Sequence, residues 1–372
     1  MSRSITAAIL PAHSKPFNLE TLTLDDPGEG EVLVKIAGTG ICHTDIKVSR
    51  GYATVPVPVV LGHEGAGIVE TVGPGVDDLE AGDHVILSFP SCGKCPQCNG
   101  KHPAYCDNGQ PLSFSCTRPA SAFPLHKGED DFHGHFFGQS SFATHTLASD
   151  NNAVKVARDL PLESLGPLGC GFQTGAGAIL NVLQPAPEKS LAVFGAGNVG
   201  LSAVMAAKIA GMNPIIAVDV HEKRLKLARE MGATHLVMLG ENQDLVEAVL
   251  NITGGYGVNY SLDTTNLPYV VRRAFETLAN RGTFVHSGGG GKDLCFPGSH
   301  LLHGRTVTGV IQGDSVPQTF IPRLLDYYRE GRFPFDRLLS FYPLAEINNA
   351  ITDMEEGRVV KPVLTMAGGN RP

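Results

Sequence analysis

Ser190–Val220 reads SLAVFGAGNVGLSAVMAAKIAGMNPIIAVDV, and the order of its parts decides the fold. SLAVF is a short apolar run of the kind that forms a buried strand. It feeds Gly195-Ala196-Gly197-Asn198-Val199-Gly200, and a helical pattern, LSAVMAAKIAGM, follows. A second apolar run, PIIAVDV, ends at Asp219. This is G-x-G-x-x-G with a strand before it, a helix after it and an acidic residue about twenty positions on, the context that gives the motif its meaning. Gly195 permits a tight turn, Gly197 lets a pyrophosphate approach the backbone, and Gly200 lets helix and strand pack. The free N–H groups of the helix N-terminus suit phosphate. The Asp219 carboxylate suits ribose hydroxyls and repels a 2′-phosphate, so the motif points to NAD over NADP. Arg224 nearby either softens that preference or is a solvated charge.

Downstream the pattern keeps alternating: EKRLKLAREMGATHLVML, QDLVEAVLNITGGYGVNYSLDTT, YVVRRAFETLANRGTFVHSGGGG and GRTVTGVIQG. Helices with strands between them predict a parallel, doubly wound sheet, hence an α/β domain. The glycine run 288–291 is either a loop or a place where backbone passes a nicotinamide. Upstream, residues 1 to about 90 alternate short β-rich runs (ITAAIL, EVLVKIAGTG, GAGIVETVGPGV, DHVILSF) with Gly/Pro/Asp turns, which predicts a compact, barrel-like β domain.

The chemistry-bearing residues lie in that first part. Cys42, with Asp45 three places on, and His63, followed by Glu64, sit on glycine-rich turns about twenty residues apart. A thiolate and an imidazole in that setting are two of the three protein ligands of an open zinc site. Either alone reads equally well as a buried thiol or a satisfied histidine. Gly169-Cys170-Gly171 supplies the best candidate for a third ligand, because flanking glycines allow close backbone approach; Cys116 and Cys295 are its rivals. SCGKCPQCNGKHPAYC places Cys92, Cys95, Cys98 and Cys106 as C-x2-C-x2-C-x7-C, enough to close a tetrahedron around a structural zinc on one loop. Residues 107–150 hold Cys116 and four histidines, which read as an irregular cleft lining, since no thiol or acid recurs at ligand spacing. Phe136 and Phe137 suit an apolar pocket or the core.

The 372 residues are long enough for two domains. A formal net charge of −8 offers no footing for nucleic acid or an anionic membrane. The N-terminus lacks a secretory apolar core, and the longest apolar region, Leu191 to Val220, is broken by glycines, Lys208 and Pro214. A cytoplasmic, reducing setting is the expectation, and there the eight cysteines read as thiols or metal ligands.

Taken together, GICHTD (Gly40–Asp45), GHEGAGIVE (Gly62–Glu70), the four-cysteine lobe, FFGQSSFA (Phe136–Ala143), LGCGFQTGAGA (Leu168–Ala178), VFGAGNVGL with AVD, and GRFPFDRLL…INNAI…GRVVKPVL resemble the zinc-containing medium-chain alcohol dehydrogenases. The aryl (benzyl) alcohol branch is the most similar. The resemblance implies a GroES-like β-rich catalytic domain over 1–171 with a structural zinc lobe at about 92–106. It implies a Rossmann NAD-binding domain over 172–312 and a return to the catalytic domain over 313–372. Cys42, His63 and Cys170 would hold a catalytic zinc, and Cys92, Cys95, Cys98 and Cys106 a structural one. Asp45 would orient His63, Glu64 would sit behind the metal, and Thr44 would bond the substrate oxygen and begin a proton relay. Lys47 stands where many relatives place the relay's outer histidine. His43 and Lys361 match pyrophosphate contacts, and Thr174 and Val199 nicotinamide contacts. Phe136 and Phe137 match substrate-pocket positions, and Ser88 replaces a phenylalanine of liver-type relatives, widening the pocket. The implied reaction is reversible, NAD-dependent oxidation of a primary aromatic or allylic alcohol by a homodimer or tetramer. Two other readings stand beside it: a reductase dedicated to one larger aldehyde or ketone, and a non-catalytic NAD- and zinc-binding protein.

Overall fold

The computed structural model describes residues 3–53, 55–118, 123–240, 244–288 and 293–366. Residues 289–291 of the glycine run therefore lie outside the described residues. The chain divides into two compact units. One contains the residues up to Cys170, Val316–Arg323 and Asp336 onward; the other contains Gly171–Ser315 and Leu324–Phe335. Where the sequence reading assigned all of 313–372 to the first unit, Leu324–Phe335 packs with the second. Phe335 there meets Phe172 and Tyr328, with ring centroids 5.4 and 4.9 Å away.

In the first unit Glu31–Gly40 is the organising strand. It pairs antiparallel with Gly65–Val72, with Lys361–Thr365 and with His145–Ser149. Gly65–Val72 continues the sheet through His84–Leu87 to Ala153–Val156, and Lys361–Thr365 pairs in parallel with Leu339–Pro343. Eight of the ten residues of Glu31–Gly40 are buried, so this strand has lost the one-sided alternation of a solvated sheet. A second sheet runs Val59–Val60, Arg3–Leu10, Asn18–Leu24, Leu125–Lys127, Asp130–Phe132. Its apolar face packs with Ile41, Leu61, Phe136 and Phe142 into one hydrophobic cluster.

The second unit carries six parallel strands in the order His235–Met238, Ile215–Asp219, Leu191–Phe194, Val258–Asp263, Leu278–His286, Thr306–Gly309. Leu191–Phe194 and Ile215–Asp219 are buried at every position, as strands with both faces covered must be. The order reverses beside Leu191–Phe194, the switch point at which such sheets bind ligands off their carboxyl ends. The segment Leu160–Leu180 opens with turns rather than a helix. It is two short 3-10 turns, Leu162–Ser164 and Gly166–Gly169, and the helix Gly171–Gly177 starts only after Cys170.

Candidate metal centre and dinucleotide site

Three chain segments deliver the first cluster. Glu31–Gly40 exits into Ile41 and Cys42, and its neighbour Gly65–Val72 is entered through His63 and Glu64. The turn at Gly169 brings in Cys170. It approaches so closely that a Cβ at residue 169 would collide with the Leu87 carbonyl, and the Ser88 hydroxyl donates to Gly169 O at 2.8 Å. The ligand atoms of Cys42, His63, Glu64 and Cys170 then lie within 4.8 Å of one another. Of the three candidate third cysteines, the fold brings Cys170 to Cys42 and His63; Cys116 is buried elsewhere in the core and Cys295 is exposed.

Asp45 sets the histidine. Its Oδ1 accepts from His63 Nδ1 at 2.8 Å and from Gly62 N–H at 3.3 Å, and its Oδ2 accepts from Cys42 N–H at 2.9 Å. Nδ1–H donates to this carboxylate, so Nε2 is the nitrogen that a metal would take in place of a proton. Nε2 is buried and has no hydrogen-bond partner. An orphaned imidazole nitrogen beside two thiols is what a zinc ligand set looks like with its cation removed. Burial alone would lower His63, but the Asp45 carboxylate holds it well above the ordinary histidine value. The Cys170 thiol hydrogen-bonds to Cys42 and brings it well below the ordinary thiol range, while Cys170 rises in return. The residues fit a divalent metal.

Aromatic rings close over the histidine. Phe137 stacks on His63 at 4.6 Å, and Phe136 meets it edge-on at 5.8 Å. Phe114 packs on both. Phe137 has a left-handed backbone (φ 50°), and the loop is pinned by Gln139. The Gln139 amide donates to His63 O and Ser88 O and accepts from Gly65 N–H. Gln139 and Phe114 were not singled out from the sequence. Gln139 lies inside the quoted FFGQSSFA motif, so its position was visible there but its bonding was not.

Two placements depart from expectation. Lys361 is fully buried, with Nζ donating to Glu64 Oε1 at 2.9 Å, Glu64 Oε2 at 2.8 Å and Ile41 O at 2.9 Å. An ammonium has three protons, all are used, and the pyrophosphate contact has no surface to act from. Ser88 is likewise enclosed, its hydroxyl committed to Gly169, so it opens no pocket wall. Burial pushes Glu64 up to about 7, against the pull of the Lys361 ammonium. Thr44 and Lys47 are half-buried and His43 is exposed on the helix His43–Ser49.

The four-cysteine lobe forms a second cluster, with all four Sγ atoms within 4.8 Å of one another. Cys95 Sγ lies 3.4 Å from Cys98 Sγ and 3.9 Å from Cys106 Sγ. Sulfurs bound to one tetrahedral zinc at about 2.3 Å stand roughly 3.8 Å apart. The Lys94 N–H draws Cys92 down to about 6, while burial lifts Cys98 to about 12. Backbone N–H groups of Cys92 and Asp107 point at Cys106 and Cys95 sulfurs, as they do at thiolates. This cluster too fits a metal, with no place left for a fifth group.

In the second unit each motif glycine has its own reason. Gly195 has φ +95°, and a side chain there would meet Thr264. Gly200 packs against the Gly195 carbonyl, while Gly197 faces open space where a phosphate has room. Helix Asn198–Ile209 begins at Gly197 with no side-chain cap, so its first N–H groups remain for an anion. Asp219 Oδ2 accepts from Ala196 N–H at 2.6 Å and Oδ1 from His221 N–H at 2.9 Å. Arg224 has a buried Nε without a partner. Thr174 is buried in the helix Gly171–Gly177, and Val199 is half-buried in the first turn of Asn198–Ile209. The fit to a dinucleotide rests on the open Gly197 and the uncapped helix.

Comparison with known proteins bears on both sites. Residues 28–158 match the family described as alcohol dehydrogenase GroES-like domain, and residues 198–328 match zinc-binding dehydrogenase. The chain is 45% identical over 369 residues to a geraniol dehydrogenase of Castellaniella defragrans, covering 97% of each. It belongs to the zinc-binding medium-chain alcohol dehydrogenase family. Among solved structures, a zinc-binding alcohol dehydrogenase domain protein of Burkholderia ambifaria is 48% identical with TM-score 0.96, covering 99% of this chain and 100% of that one. The benzyl alcohol dehydrogenase of Acinetobacter calcoaceticus is 44% identical with TM-score 0.94, over 98% and 100%. As a member of this family the protein is an oxidoreductase acting on CH–OH groups, with zinc and a nicotinamide dinucleotide as cofactors. Among the described residues no helix is long and apolar enough to cross a membrane.

Proposed function

We propose that this alcohol dehydrogenase oxidises primary aromatic or allylic alcohols with NAD, reversibly, and holds two zinc ions per chain. The observation that carries the substrate class is that both relatives with substrate names, near 45% identity and end to end, are named for alcohols whose carbinol carbon adjoins an sp2 carbon. Phe137, stacked on His63 with half-buried Phe114 against it, suits such a substrate, whereas Phe136 is fully buried in the core behind them. Cys42, His63 and Cys170 are the ligands of the catalytic metal, and the four-cysteine lobe holds the structural one. Zinc supplies Lewis-acid polarisation of the substrate oxygen when bound.

A nicotinamide held at the Gly197 turn would supply the hydride acceptor, so the alcohol would give up a hydride from carbon and a proton from oxygen to leave the aldehyde, the reduced nicotinamide and a released proton. Thr44 takes the hydroxyl proton by hydrogen bond and passes it outward, with Lys47 at the far end of the relay. Asp45 keeps His63 in the tautomer that presents Nε2. The uncapped helix at Gly197 receives the pyrophosphate, and Asp219 selects the unphosphorylated ribose.

A homodimer through the dinucleotide unit is supported by the strand Thr306–Gly309. Among the described strands it pairs only with Leu278–His286, and Leu301, Leu302, Val307 and Ile311 are exposed around it. The setting is cytoplasmic.

The test is nicotinamide absorbance with benzyl, cinnamyl and geranyl alcohols plus NAD, and with the aldehydes plus NADH. Turnover in both directions is expected. No change with any of these, against turnover of one larger carbonyl compound, would replace this reading with a dedicated reductase.

A further inference from the structure

Glu64 occupies an awkward place. Its carboxylate lies within 4.8 Å of the ligand atoms of Cys42, His63 and Cys170, and carboxylate oxygen is itself a good zinc ligand. Two thiolates already balance a divalent metal, so a third anion closing on it would fill the position the substrate oxygen needs. The fold commits both oxygens of that carboxylate to another cation, the Lys361 ammonium. Glu64 and Lys361 flank the exit of the strand Glu31–Gly40 from its two sides. Glu64 O accepts from Gly40 N–H at 3.0 Å, and Ile41 N–H donates to Pro362 O at 3.0 Å. Lys361 Nζ grips both oxygens of Glu64 and uses its last proton on Ile41 O. Neither side chain of the pair has any exposed surface. Gly40 provides the room, since a Cβ there would collide with Glu64 Oε2.

We propose that Lys361 is a positioning residue: by holding both Glu64 oxygens it keeps this carboxylate off the fourth coordination position of the catalytic metal. Without the ammonium, Glu64 in its ionised form would be a fully buried anion whose nearest cation is the metal. Such an unpaired charge is strongly unfavourable, and a short swing onto the metal relieves it. The inference rests on the ligand set proposed above.

The test uses holoenzyme with cobalt(II) replacing zinc, and imidazole as the probe for the open position. In the unaltered protein imidazole shifts the visible cobalt bands. In Lys361→Met the bands are expected to be altered before imidazole is added, and imidazole affinity to fall roughly 10- to 100-fold. Lys361→Met with Glu64→Gln should restore both, and Lys361→Arg should retain them. Unaltered bands and affinity in Lys361→Met, or no recovery in the double variant, overturn the proposal. Should Lys361→Met not fold, Lys361→Gln is read by the same two criteria; if neither single variant folds, the pair belongs to folding and the proposal is overturned. An imidazole response that survives Cys42→Ser would instead sink the ligand set itself.

Discussion

Asp45 shows how one short side chain prepares a metal ligand. It fixes the His63 proton on Nδ1, steadies Cys42 through its backbone N–H, and leaves Nε2 as an orphan that only a cation or a proton can satisfy. Replacing Cys42 or Cys170 by Ser is therefore expected to lower the proposed metal content by one ion per chain with the fold retained, measured by elemental analysis and circular dichroism. Asp219 carries two duties, because its oxygens also accept from Ala196 and His221. Asp219→Gly should weaken both cofactors and reduce the NAD/NADP ratio of kcat/KM by roughly tenfold or more, the size of one charge-assisted hydrogen bond of about 1.5 kcal/mol. Asp83 offers a pH test away from the metals. Burial would raise its pKa, but Lys155 Nζ at 2.7 Å and Glu80 N–H at 3.0 Å hold it below the ordinary carboxylate value. A depressed folded value means stability present above about pH 4 and lost as pH falls through the folded pKa. Asp83→Asn should melt below the unaltered protein at pH 7, and the gap should close in acid; a gap constant with pH would contradict the assignment.

At the scale of elements, the four-cysteine lobe illustrates a loop that cannot build a core. Its only helical pieces are Pro96–Asn99 and Pro103–Tyr105, neither of which buries a residue completely. If the four cysteines hold the structural zinc proposed above, metal bonds supply the cohesion and binding free energy becomes folding free energy there. Cys95→Ser is expected to lose one metal ion and lower the melting temperature. Harmless Cys95→Ser with insoluble Cys42→Ser would mean the two sites are reversed. The lobe was legible because all four ligands sit within fifteen residues, Cys92–Cys106, and the glycine motif was legible for the same reason. The helix position after Cys170 was not. The run Leu160–Leu180 has helical composition throughout, and the close approach of Gly166 and Gly169 to neighbouring backbone forces tight turns that composition does not express.

For the whole molecule, the strand Thr306–Gly309 is an exposed edge that pairs on one side with Leu278–His286, and an edge of this kind invites another strand. If the proposed dimer forms through this edge, Val307→Lys should shift it to monomer in light scattering, whereas an unchanged mass would contradict that interface. The chain by itself determined the fold class, both metal-ligand sets as candidates and the dinucleotide motif, since each rests on residue types at short spacing or on local periodicity. Only the tertiary structure decided that Cys170 and not Cys116 or Cys295 meets Cys42 and His63, that Ser88 braces a turn, and that Lys361 answers Glu64 across 297 positions of chain. Those pairings depend on which strand ends converge, and convergence is a property of sheet register, which no local stretch of sequence encodes.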